Sequence, residues 1–110
     1  MEIIEEKQGA ASVIRISGRL DSNTSPEFED HVSAAIRNGS HHMILDFEAL
    51  NYISSAGLRV ILKATKDLKR LEGKLMLCAM RDYVREVFEI SGFDSFLTIV
   101  STVDEALERM

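Results

Sequence analysis

Short apolar runs alternate along this chain with longer segments whose apolar residues recur every three or four positions. Met43–Phe47 and Leu75–Ala79 are nearly unbroken apolar runs, which are typical of interior strands covered on both faces. Leu58–Leu71 shows the helical spacing instead. Because strands separated by helices require crossover connections, this alternation favours a largely parallel sheet with right-handed crossovers.

The two ends of the chain complete the predicted architecture. Strands at Ile3–Ile4 and Ser12–Ser17 form a hairpin that makes the sheet mixed. Ser25 and Pro26 open the first helix, with the serine hydroxyl accepting from a free amide. The other assignments are a loop over 18–23, a polar turn over 48–52, a helix with Tyr83, Val84, Val87 and Phe88 facing inward, a strand over Phe96–Val100, and a last helix capped by Thr102 and Glu105. The predicted fold is therefore α/β: one domain over residues 1–110, a mixed sheet packed with about four helices, in the order β-β-α-β-α-β-α-β-α.

The charge balance disfavours several classes of function. Thirteen basic and 18 acidic residues give a net charge of −5, whereas nucleic acid and anionic lipid both require a basic surface. Apolar runs of about six residues fall short of the roughly 20 that span a bilayer. Met1–Lys7 is acidic and has no apolar signal core. We expect a cytoplasmic protein without nucleic-acid or membrane partners, for which nothing requires more than a monomer.

Residues suited to metal binding or catalysis are sparse. His42 and Asp46 share one face of a predicted strand, but no third ligand accompanies them. Cys78 lies in an apolar strand, where cysteine behaves as a small hydrophobe. No phosphate-binding glycine loop or nucleophile elbow is present. The sequence predicts no metal, no cofactor and no catalytic residue.

The most informative segment is Ser54-Ser55-Ala56-Gly57-Leu58, which links a polar turn to an amphipathic helix. Free amides and the positive end of the helix dipole favour an anion at such a position, and a phosphate attached to serine would be one. The simpler interpretation is a serine that only caps the helix. Two adjacent hydroxyls followed by two small residues exceed what a cap needs.

This segment resembles the signature of STAS domains, the family of bacterial anti-sigma-factor antagonists. In that family an apolar strand and an aromatic-aliphatic pair, here Tyr52-Ile53, precede aspartate, serine, serine or threonine, glycine and leucine. The turn Gly18-Arg19-Leu20-Asp21, together with Gly73-Lys74-Leu75 and Phe88–Phe93, matches further family elements, so that the resemblance covers nearly the whole chain.

The resemblance implies that the phosphorylated serine is Ser55, with Ser54 as the alternative. Ser54 replaces the family's aspartate, and Ala56 replaces its second hydroxyl residue. The expected docking face combines the 18–25 turn, the 52–57 loop and the exposed side of the following helix. Its predicted partner-binding residues are Asp21, Ser22, Thr24, Tyr52, Ser54, Ala56, Gly57 and Arg59.

The family also implies a partner switch. The unmodified protein binds an anti-sigma factor that is also a serine kinase, and the sigma factor is released. Phosphorylation by that kinase ends the binding, and a serine phosphatase restores it. Nucleotide and magnesium belong to the kinase.

Three further interpretations stay open. In the first, the chain is a non-phosphorylated STAS scaffold or a subunit of a signalling or transport assembly, which the replacement at Ser54 allows. In the second, it is a small enzyme or nucleotide-binding domain, although no acid–base pair of side chains converges in the sequence. The third concerns a surface. The basic group Lys63, Lys66, Lys69 and Arg70 is either a solvated helix face or a surface for an acidic partner.

Overall fold

Six strands form a single sheet in this structure, a computed structural model that describes residues 1–110. Its elements are β1 (Glu2–Gln8), β2 (Ala11–Leu20), α1 (Ser25–Arg37), β3 (His42–Asp46), β4 (Leu50–Ile53), α2 (Ser55–Arg70), β5 (Lys74–Cys78), α3 (Asp82–Ser91), a 3-10 turn (Phe93–Ser95), β6 (Thr98–Val100) and α4 (Val103–Glu108). The strand order is β1-β2-β3-β5-β6, and the short strand β4 pairs with the end of β2.

The pairing confirms a mixed sheet. β1 and β2 are antiparallel, with Gln8 opposite Ala11 at the hairpin end. β2–β3, β3–β5 and β5–β6 are parallel. Each of these parallel connections passes through at least one helix, which confirms the parallel pairing predicted from the alternation of apolar runs and amphipathic segments.

The two faces of the sheet are covered unequally. The main core lies between the sheet and α1, α2 and α3, and includes Phe28, Ile61 and Phe88. The opposite face packs only against α4, through residues such as Ile44 and Ala106. Every helix is too short or too polar to span a bilayer.

Strand β4 corrects the predicted turn over 48–52. Leu50 and Ile53 are buried, and between them Asn51 and Tyr52 are exposed. β4 runs parallel to the end of β2, where Gly18 lies opposite Leu50 and Leu20 opposite Ile53. β2 therefore continues through residues 18–20, where the sequence predicts a loop.

Three local predictions are wrong in detail. Tyr83 is 46% exposed, so α3 faces inward through Val84 and Phe88. Phe96 is 74% exposed and precedes β6, which begins only at Thr98. Ser25 is the first residue of α1 after the N-cap Thr24, and its buried hydroxyl has no hydrogen-bond partner. By contrast, the Thr102 hydroxyl caps α4 as predicted, accepting from the Glu105 amide at 3.0 Å.

Candidate partner-binding site at the start of α2

The start of α2 is fixed against the end of β2. The Ser54 amide donates to the Leu20 carbonyl oxygen at 2.9 Å, which continues the β2–β4 pairing to the helix boundary. A β-carbon on Gly57 would lie 2.8 Å from Cγ of Leu20 and 3.0 Å from Cγ1 of Ile53. Only glycine allows the first turn of α2 to approach the strands this closely. The hydrogen bond at Ser54 and the close packing at Gly57 therefore fix the start of α2 against the strands.

The two adjacent serines have different environments. Ser55 is the first residue of α2 and is exposed. Ser54, the N-cap, has extended backbone angles, and its hydroxyl oxygen is buried without a hydrogen-bond partner. No side chain caps α2, and its first turn contains no acidic residue. Of the two hydroxyls, only that of Ser55 is presented at the positive end of the helix dipole.

The turn after β2 is organised by Asp21. Its Oδ1 accepts from the amides of Asn23 at 3.0 Å and Thr24 at 3.2 Å. Partial desolvation alone would raise the pKa of Asp21, but these hydrogen bonds, one from the Thr24 hydroxyl and the charge of Arg19 together hold that pKa below its usual value. The Thr24 hydroxyl shares its one proton between Asp21 Oδ1 at 3.3 Å and the Arg19 carbonyl oxygen at 2.8 Å. Asp21 is thus a charged residue of fixed geometry beside the start of α1.

Arg19 is not among the predicted site residues, but it contacts two of them, Tyr52 and Asp21. Its guanidinium carbon lies 4.2 Å from the centroid of the Tyr52 ring, a cation–π arrangement, and its Nε lies 3.6 Å from Oδ2 of Asp21. The pairing of β2 with β4 creates the stack, because Arg19 lies opposite Tyr52 in the register. Without β4, the sequence offered no signal for this contact.

A groove between the N-terminal turns of α1 and α2 contains Ser22, Ala56 and Arg59, three of the predicted partner-binding residues. Ser25, Pro26, Glu29, Val60 and Lys63 complete its lining. Lys63 Nζ bridges to Glu29 of α1 at 3.2 Å. Arg59 is exposed and forms no ion pair.

Other predicted residues occupy less direct positions. Gly57 is buried beneath Leu20, so it can support the docking face but cannot contact a partner through its own surface. Asp46 lies on the face of the sheet that carries α4; it is 5% exposed and accepts from Arg15 Nε at 3.0 Å and from the Glu48 amide at 3.0 Å, which makes it a structural acceptor. The buried Cys78 thiol has its pKa raised to about 12, chiefly by desolvation. No three histidine, cysteine or carboxylate side chains come together as a possible metal site.

Comparison with known proteins places this geometry in a family. A model of the STAS domain matches residues 2–106. A protein of Bordetella bronchiseptica, named "Putative anti-sigma factor antagonist BtrV", is 36% identical over 106 residues, 96% of this chain and 91% of the relative. The solved structure of unphosphorylated SpoIIAA, an anti-sigma factor antagonist, has a TM-score of 0.76 at 25% identity and covers 98% of this chain and 96% of its own.

SpoIIAA from Bacillus, described as a cell fate determinant, is also solved in its phosphorylated form. That structure gives a TM-score of 0.75 at 27% identity and covers 98% of both chains. The family model, the relative and the two states of SpoIIAA agree with the predicted family and with its fold. This chain belongs to the STAS domain family, beside members named as anti-sigma factor antagonists.

Proposed function

We propose that this chain is an anti-sigma factor antagonist controlled by phosphorylation at Ser55. In the unmodified state it binds an anti-sigma factor with serine kinase activity, so that the sigma factor held by that kinase is released. The exposed Ser55 hydroxyl at the start of α2, beside the buried hydroxyl of Ser54, is the observation that carries this assignment. A kinase can reach the Ser55 hydroxyl oxygen without any movement of the backbone.

The chemistry requires little from this chain besides the hydroxyl. Ser55 Oγ attacks the γ-phosphorus of ATP bound to the kinase, the bond to ADP breaks, and the hydroxyl proton passes to a base. Nucleotide and magnesium reside on the kinase, and hydrolysis by a serine phosphatase regenerates the hydroxyl. We assign no catalysis to this chain, and we place it in the bacterial cytoplasm as a monomer.

The docking face consists of exposed and half-buried residues around Ser55. Asp21, Ser22 and Thr24 form its α1 side, and Tyr52, Ala56 and Arg59 form its α2 side. Ser54 and Gly57 support it from beneath. Phosphorylation adds about 1.5 to 2 negative charges at its centre. Loss of about 3 kcal/mol of binding free energy, from repulsion and from desolvating the phosphate, releases the partner roughly a hundredfold.

The test combines mapping of the phosphate with binding measurements. The chain is incubated with its cognate anti-sigma kinase and Mg·ATP, and the modified residue is identified by mass spectrometry. Ser55→Asp should weaken kinase binding about a hundredfold, whereas Ser55→Ala should retain it. Ser101→Asp is the matched control, because Ser101 is also exposed and lies near the start of a different helix, α4.

Equal binding by Ser55→Ala and Ser55→Asp would contradict the proposal, as would phosphate on Ser54. Binding without modification of either serine would instead favour the scaffold function, which the replacement of the family's aspartate by Ser54 keeps as the second candidate.

A further inference from the structure

We propose that Arg59 binds the phosphate on Ser55, so that phosphorylation withdraws a cation from the docking face as well as adding a dianion. This inference rests on the proposed function, since it concerns the phosphorylated state of Ser55. It assigns Arg59 a regulatory contact within the chain in one state and a contact with the partner in the other.

The helix geometry places Arg59 within reach of a phosphate on Ser55. Ser55 and Arg59 are separated by four residues on α2, so they lie on the same side of the helix, one turn apart. Side chains on a helix tilt toward its N-terminus, which directs the long arginine side chain back over the first turn. The planar guanidinium can then donate two parallel hydrogen bonds to phosphate oxygens.

Arg59 is available for this role because no acidic side chain competes for it. The neighbouring cation, Lys63, is already paired with Glu29 of α1. The first turn of α2 contains no acidic residue, and its N-cap residue is the uncharged Ser54. A phosphate on Ser55 would therefore meet an unpaired cation without an adjacent carboxylate in its own helix turn.

Basic residues continue along α2 beyond Arg59, at Lys66, Lys69 and Arg70, although the whole chain carries a net charge of −5. Asp67 is the only acidic residue of the helix. A phosphate on Ser55 would therefore lie at the start of a predominantly basic helix.

This contact would leave Arg59 available to a partner in the unmodified state and occupied in the phosphorylated state. When Ser55 is unmodified, the Arg59 guanidinium is free to bind a carboxylate of the partner. Arginine is one of the residue types that commonly anchor protein interfaces. Once the phosphate binds Arg59, that anchor is occupied. Release then needs no change of backbone conformation.

The experiment uses the chain of residues 1–110 with phosphoserine incorporated at position 55 during translation, so that no kinase is required. Phosphorus NMR follows the second pKa of the phosphate, with urea-unfolded protein as reference. Arg59→Gln should raise that pKa by roughly 0.3 unit or more, because the dianion loses its cation. Arg59→Lys should give a smaller rise, because a lysine keeps the charge without the bidentate geometry.

Lys66→Gln is the matched control, since Lys66 is exposed on the same helix, forms no ion pair and is two turns further from Ser55 than Arg59 is. The charged groups nearest the site, Glu29, Lys63 and Asp21, are present in every variant. Equal pKa values for Arg59→Gln and the unsubstituted chain, or equal shifts for Arg59→Gln and Lys66→Gln, would refute the contact.

The two proposals fail separately. If the phosphate pKa is insensitive to Arg59 while the kinase still modifies Ser55 and releases the chain, the switch stands and the arginine contact is wrong. If the pKa depends on Arg59 but no kinase modifies Ser55, the contact is real and the proposed function is wrong.

Discussion

Substitution of Gly57 by alanine tests whether close packing against β2 positions the start of α2. An alanine β-carbon would lie 2.8 Å from Cγ and 3.0 Å from Cδ2 of Leu20, which is fully buried and cannot move into solvent. Relief of this overlap should cost about 1 to 3 kcal/mol. Alanine also favours a helix over glycine by about 1 kcal/mol, so the net loss of unfolding free energy should be up to about 2 kcal/mol.

Urea denaturation measures this loss, and a double-mutant cycle assigns it to the contact. Leu20→Ala alone should cost about 2 to 5 kcal/mol, because it leaves a cavity in the core. In the Gly57→Ala background the same truncation should cost less by about 1 to 3 kcal/mol, since it also removes the overlap. Gly57→Ala protein that is more stable than the parent, or a strictly additive cycle, would refute the packing argument.

Two pH-dependent outcomes follow from the ionisable groups. Burial raises the pKa of Cys78 to about 12, so the native thiol keeps its proton after the unfolded thiol, with its ordinary pKa of 9.0, has lost its own. The free energy of unfolding should therefore fall as pH rises above 9.0, and Cys78→Ala should remove that part of the fall. The pKa of Asp21 is lowered in the native state, so its contribution to the free energy of unfolding should be present above about pH 4 and lost as pH falls through the native pKa. In urea titrations, the stability difference between the parent and Asp21→Asn should therefore shrink on acidification. A difference that grows would contradict this reasoning.

The main strands and helices were predictable because each has one dominant period. Met43, Ile44 and Leu45 are all fully buried, as an unbroken apolar run predicts for a central strand. Strand β4 could not be predicted from the local sequence. Its four residues, Leu50–Ile53, are buried, exposed, exposed and buried in turn, which fits neither strict alternation nor a continuous apolar run. It exists because the end of β2 offers a free edge to pair with, and such non-local pairing leaves no local signature.

The candidate site was predictable as a segment and unpredictable in its details. The sequence located the start of a helix at the two serines, but which hydroxyl is buried depends on how the first turn packs on Leu20. The contact of Arg19 with Tyr52 depends entirely on the β2–β4 register. In both cases a single long-range pairing decides what the local motif leaves open.

The energies at this site favour a switch that changes recognition and leaves the fold intact. α2 buries Leu58, Ile61 and Leu68, each at most 5% exposed, and burial of such side chains contributes about 1.5 to 3 kcal/mol apiece. A phosphate at an exposed helix N-terminus changes the stability of that helix by only about 0.3 to 1 kcal/mol, and in the favourable direction. Modification of Ser55 therefore cannot unwind α2 against that burial. Its effect must appear at the surface, where the added charge repels or competes with a partner while the backbone beneath stays in place.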